Sequence, residues 1–142
     1  MRIRGFTLIE LLVALAIMAI ISAVAVPIYT EYSVRTQRTN AEKDLMVCAQ
    51  SMERLASSTF TYAGHIGGGD TGAVTANVCT PSTTMYSVIV TAADANTFTI
   101  RATPTSGPVV GNGMLEIDAS GAQRWDRNNN GTWEAADNGW SH

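Results

Sequence analysis

The hydrophobic pattern divides the chain into stretches of different period. From Phe6 to Ile28 nearly every position is apolar, and the one charge in that run is Glu10. About 23 helical residues rise roughly 34 Å, enough to cross a bilayer. Further on, Ala41, Leu45, Cys48, Met52 and Leu55 recur at steps of 4, 3, 4 and 3, one stripe of a helix, while Arg38, Glu42, Lys43, Gln50, Glu53 and Arg54 take its other faces. Together these runs predict one helix over about residues 7–57, apolar all round in its first half and amphipathic in its second. Pro27 removes a backbone hydrogen bond and is expected to kink or locally unwind it.

Residues 58–84 read as a loop, because Gly64, Gly67-Gly68-Gly69, Gly72 and Pro81 break any period. After it the period falls to two. Residues 86–91 and 97–103 flank a short Ala-Asp-Ala-Asn turn, and Phe98, Ile100 and Ala102 alternate with Thr97, Thr99 and Arg101. Residues 114–118 and 122–125 around Ala119-Ser120-Gly121 make a second hairpin. The prediction is an α+β domain, one long helix against about four short antiparallel strands.

Glu10 is the most informative residue. A carboxylate at that depth in a bilayer costs on the order of 2–3 kcal/mol, so it needs a partner. Cutting after Gly5 would turn Phe6 into a free α-amino terminus, and that amine on a neighbouring copy could pair with Glu10 in a dry helical bundle. Arg2 and Arg4 before the span, with Glu31 the first charge after it, put the amino terminus in the cytoplasm and the remainder outside.

The string Gly5-Phe6-Thr7-Leu8-Ile9-Glu10, its short basic leader and Pro27 resemble the class III signal of type IV pilins and pseudopilins. The resemblance implies a pilin fold, cleavage between Gly5 and Phe6 by a prepilin peptidase, N-methylation of Phe6, and retention of the apolar span. It divides the chain into a cleaved leader (1–5), a transmembrane and filament-core half-helix (6–28) and an exported globular domain (29–142). It implies a subunit, most like minor pilins of the PilE type, that waits in the inner membrane. Pilus assembly machinery then builds it with other pilins into an extracellular filament for adhesion, twitching motility or DNA uptake. A type II secretion pseudopilin shares the same leader and helix. Ala23-Val24-Ala25 also satisfies a conventional signal peptide cut before Val26, which would release a secreted calcium-binding domain instead.

The chain of 142 residues has a formal net charge of −3, and loss of Arg2 and Arg4 leaves seven basic residues against twelve acidic ones. No basic tract or basic-aromatic stripe marks a nucleic-acid site; any DNA contact would fall to residues such as Arg101, Arg124 and Arg127. Cys48 and Cys79 lie on the exported side, where disulfides persist, and a structural bridge between them would pin the loop to the helix. PilE-type chains often carry a cysteine near the C terminus; this chain has none there, which favours the same pairing.

Two readings fit the C-terminal acidic stretch. Asp126, Asn128, Asn130, Gly131, Thr132, Glu134 and Asp137 have the spacing of a calcium loop, with oxygens at positions 1, 3, 5, 7, 9 and 12 and a glycine at 6. Asn128-Asn129-Asn130-Gly131 is equally a strong turn. Ca2+ is thus the one cofactor the sequence suggests. Trp133 and Trp140 read as packing lids. His65 and His142 are the only histidines, and no nucleophile–base or phosphate-loop motif occurs, so the chain reads as no enzyme.

Overall fold

The computed structural model describes residues 6–67 and 69–140. The leader, with the expected cut after Gly5, lies outside the described residues, as do Gly68 and His142. The chain divides into two compact units at Ser33 and Val34.

The first unit is helical. Helix α1 spans Leu8–Thr59 and is assigned without interruption through Pro27. Next to the proline, the Thr30 hydroxyl donates to the Val26 carbonyl at 3.0 Å. The large apolar side chains from Leu8 to Ile28 are 51% to 78% exposed. This stretch therefore has no core of its own within the chain.

The second unit builds a core from the rest of α1 and a sheet. Ala41, Leu45, Cys48 and Met52 are fully buried, as their stripe predicts, and Leu55 packs at the edge. The helix ends where Phe60 adopts φ 59°, a left-handed residue that no helix can continue, and the Phe60 N–H closes the last turn on the Ala56 carbonyl.

The sheet holds five antiparallel strands in sequence order: β1 (Gly72–Ala73), β2 (Tyr86–Ala93), β3 (Phe98–Pro104), β4 (Leu115–Asp118) and β5 (Gln123–Trp125). The strand additional to the four expected is β1, two residues lying in the stretch read as a loop. It pairs Gly72 with Val90 and Ala73 with Ile89. A segment so short and glycine-bearing has no alternation to reveal it. Tyr86, Val88, Val90, Phe98, Ile100, Ala102, Leu115 and Ile117 point into the core with the helix stripe.

Side chains close the turns. Asp94 accepts the N–H groups of Asn96 and Thr97 between β2 and β3, and Asp118 accepts those of Ser120 and Ala122 between β4 and β5. The Cys48–Cys79 disulfide joins helix to loop with 5.1 Å between Cα atoms. Beside it, buried Asp44 accepts the N–H groups of Ser82 and Thr83 and the Ser82 hydroxyl, each at 2.9 Å.

Candidate functional site

Two regions carry the residues singled out in the sequence. The first is the amino-terminal end of α1. Phe6 is 89% exposed, one residue ahead of a hydrogen-bonded cap. The Thr7 hydroxyl accepts the Glu10 N–H at 3.3 Å, and Glu10 Oε2 accepts the Thr7 N–H at 2.9 Å and its hydroxyl at 2.7 Å. This reciprocal arrangement is a capping box, which satisfies two of the orphan donors of a helix start. Threonine three residues before glutamate, ahead of an apolar run, is its sequence signal, a role for Glu10 beyond its charge. Glu10 is thus bonded within its own chain while its charge remains uncompensated by any cation among the described residues.

The second region is the outer face of the sheet with the C-terminal segment. One row across the strands sets Ile89 opposite Arg101, Arg101 opposite Glu116 and Glu116 opposite Arg124. Glu116 is 3% exposed and grips both arginines: Oε2 accepts from Arg101 at 2.8 and 3.1 Å, and Oε1 accepts from Arg124 at 3.1 Å. Trp133 lies 5.7 Å from the Arg101 guanidinium. A buried carboxylate between two cations is satisfied, and each arginine is correspondingly less available to an outside anion. The chain then folds back along β5, where the Gly139 N–H donates to the Gln123 carbonyl and the Trp140 indole donates to the Arg124 carbonyl.

On the other face of β5, the Trp125 ring lies 3.9 Å from the guanidinium of buried Arg38 and 5.1 Å from that of Arg127. Arg38 also donates to Asn112 Oδ1 at 3.2 Å. Arg38 was expected on a polar face of the helix. Besides Glu42 one turn on, 3.8 Å away, it meets Asn112 and Trp125 more than seventy residues further along, so helical spacing alone could not place it.

The acidic loop is closed by its own donors. Asp126, 1% exposed, accepts the Asn130 N–H on Oδ1 and the Gly131 N–H on Oδ2. Asn128 Oδ1 accepts the Asn130 N–H at 3.2 Å. Asn130 Oδ1 accepts from the Thr132 N–H and hydroxyl, while its amide donates to Glu134 Oε1. Asp137 accepts the N–H groups of Arg127 and Glu134 and caps a 3-10 turn, Ala135–Asp137. Among the described residues no three His, Cys, Asp or Glu side chains converge as a metal site. The six candidate residues are thus gathered in one loop; two hydrogen bonds occupy Asn130 Oδ1, while each Asp137 oxygen accepts one and keeps a lone pair. The hydrogen bonds to Asn128 Oδ1 and Asn130 Oδ1 are those of Asx turns.

Comparison with known proteins covers the first region and the part of the second that precedes Asn112. A model of the prokaryotic N-terminal methylation motif matches residues 1–26. A model described as type IV minor pilin ComP, DNA uptake sequence receptor, matches residues 27–112. A fimbrial protein of Pseudomonas aeruginosa is 42% identical over 50 residues, covering 35% of this chain and 32% of that protein. A fimbrial protein of Neisseria meningitidis serogroup B (strain ATCC BAA-335 / MC58) is 34% identical over 70 residues, covering 49% of this chain and 39% of that one. The match spans about a third of the length of these relatives. No solved structure matches the chain.

Proposed function

The chain belongs to the type IV minor pilin family described by the ComP model, and on that premise we propose that it is trimmed after Gly5, methylated at Phe6, and built from the inner membrane into an extracellular pilus. The observation that carries this reading is the first unit. Its apolar side chains are exposed over the whole run from Leu8 to Ile28, with one carboxylate near its start. Lipid covers that surface before assembly, and the helices of other subunits cover it afterwards. In the bundle, the Phe6 amine of a neighbour compensates Glu10, since an unpaired charge in a dry environment is expensive. Other pilin subunits, the prepilin peptidase and the assembly machinery are the partners this reading requires.

The capping box sharpens the test. Replacing Glu10 by glutamine keeps a side chain that can complete the cap but removes the charge, whereas valine removes both. Charge pairing predicts that Glu10→Gln and Glu10→Val both insert in the membrane and both lose incorporation into filaments, by about tenfold or more if an interaction worth about 1.4 kcal/mol is removed per subunit. Normal incorporation of Glu10→Gln would leave the glutamate as a helix cap alone.

A second reading follows from the family itself, whose ComP pilin is a DNA uptake sequence receptor. On this chain the arginines placed for such a contact are Arg101, Arg124 and Arg127, and Glu116 already grips the first two. The structural role therefore takes precedence. A mobility-shift titration with duplex DNA at low and physiological salt decides the receptor role: sequence-dependent binding that persists at the higher salt supports it, and binding that vanishes with salt regardless of sequence does not.

A further inference from the structure

We propose that Asn130 is a self-modifying site, whose side-chain amide the loop converts to a carboxylate through a cyclic imide. The chain contains three Asn-Gly pairs, Asn112-Gly113, Asn130-Gly131 and Asn138-Gly139, each chemically able to cyclise because glycine leaves the attacking nitrogen unhindered. Their surroundings differ.

At Asn130 three groups are set around the reacting atoms. The Gly131 N–H, which carries the nucleophile, donates to Asp126 Oδ2 at 2.9 Å, so a carboxylate base is already on the proton that must leave. Asn130 Oδ1, where negative charge develops on attack, accepts from the Thr132 N–H at 2.8 Å and the Thr132 hydroxyl at 2.7 Å, a pair of donors at the oxyanion position. The leaving nitrogen, Nδ2, donates to Glu134 Oε1 at 2.7 Å, which holds the amide plane fixed. Asn130, Gly131 and Thr132 are exposed, so water reaches the product.

The Gly131 nitrogen forms a bond to Asn130 Cγ as its proton passes to Asp126. The tetrahedral oxygen is stabilised by Thr132. Collapse breaks the Cγ–Nδ2 bond, and the departing nitrogen takes the proton back and leaves as ammonia. Water then opens the imide to aspartate or isoaspartate, with no oxidant or other reactant. The product places a new carboxylate against Glu134, where the amide donor had been.

The other two pairs lack this set. The Gly139 N–H donates to the Gln123 carbonyl, which is not a base. Asn112 is held by Arg38 beside buried Gly113.

The test is peptide mapping with isoaspartate labelling of the folded full-length chain after incubation at neutral pH, beside a urea-unfolded sample. The expected result is conversion concentrated at Asn130 in the folded chain and spread over all three pairs in the unfolded one. Asp126→Asn should slow Asn130 conversion about a hundredfold, the low end of what a positioned base contributes. Should that buried substitution prevent folding, Thr132→Val, which is exposed and removes one of two oxyanion donors, should slow it about a hundredfold as well. Asn130→Gln should abolish it. Equal conversion at the three sites of the folded chain would overturn the proposal. So would faster conversion of Asn130 on unfolding, or an unchanged rate in Thr132→Val.

Discussion

Single side chains hold the second unit together through contacts far apart in sequence. Asp44 is the clearest case, because one buried carboxylate accepts three hydrogen bonds from Ser82 and Thr83 and tethers the long loop to α1. Asp44→Ala strands two backbone donors and should destabilise a soluble fragment starting near Ser33 by about 2–3 kcal/mol, read by urea denaturation. A loss below the error of that measurement would mean the loop is held by the disulfide alone. Asp118 offers a pH signature. Partial burial raises its carboxyl, but hydrogen bonds from Ser120 and Ala122 and the charge of Arg124 outweigh this and leave it below the ordinary 3.8. A carboxyl depressed in the folded state contributes stability at higher pH that is lost as pH falls through the lowered value. Asp118→Asn should therefore lower the melting temperature at neutral pH, and the gap to the parent should close in acid. A gap independent of pH would contradict the role given to its charge.

At the scale of elements, the parts legible in sequence are those whose spacing is local. Ala41, Leu45, Cys48 and Met52 lie on the buried face because four and three residues bring a helix round to the same side. Phe98, Ile100 and Ala102 face the core because a strand alternates. Arg38 and Asp44 escape that logic: both lie among charged neighbours, and Asn112, Trp125, Ser82 and Thr83 decide their burial. Strand β1 escapes for want of length. In the acidic loop the spacing shows which residues share one turn, while the direction in which each oxygen points depends on which backbone N–H lies nearest. The disulfide is the element-scale fastener. Its 31-residue separation in sequence corresponds, in the chain-entropy model, to about 3.5 kcal/mol of stabilisation. Reducing it, or replacing both cysteines by alanine, should lower the urea midpoint of the same fragment accordingly. An unchanged midpoint would show that the Asp44 contacts suffice.

At the scale of the whole molecule, the chain joins an apolar helical unit that lacks a core to a second unit that has one. The second can fold in water; the first needs lipid or other helices around it. That division is what a filament subunit requires, since the same surface must leave a membrane and enter a bundle without being exposed to water. Glu10 is capped by Thr7 within the chain, and in the assembly proposed above this exchange turns on it, its charge compensated in the bundle by an amine that exists only after the leader is removed. The most direct measurement is the intact mass of this subunit recovered from sheared pili. The account predicts a chain that begins at Phe6 and carries one methyl group on its amine. A subunit that retains Met1 to Gly5, or that is absent from the pili of cells expressing it, would contradict it.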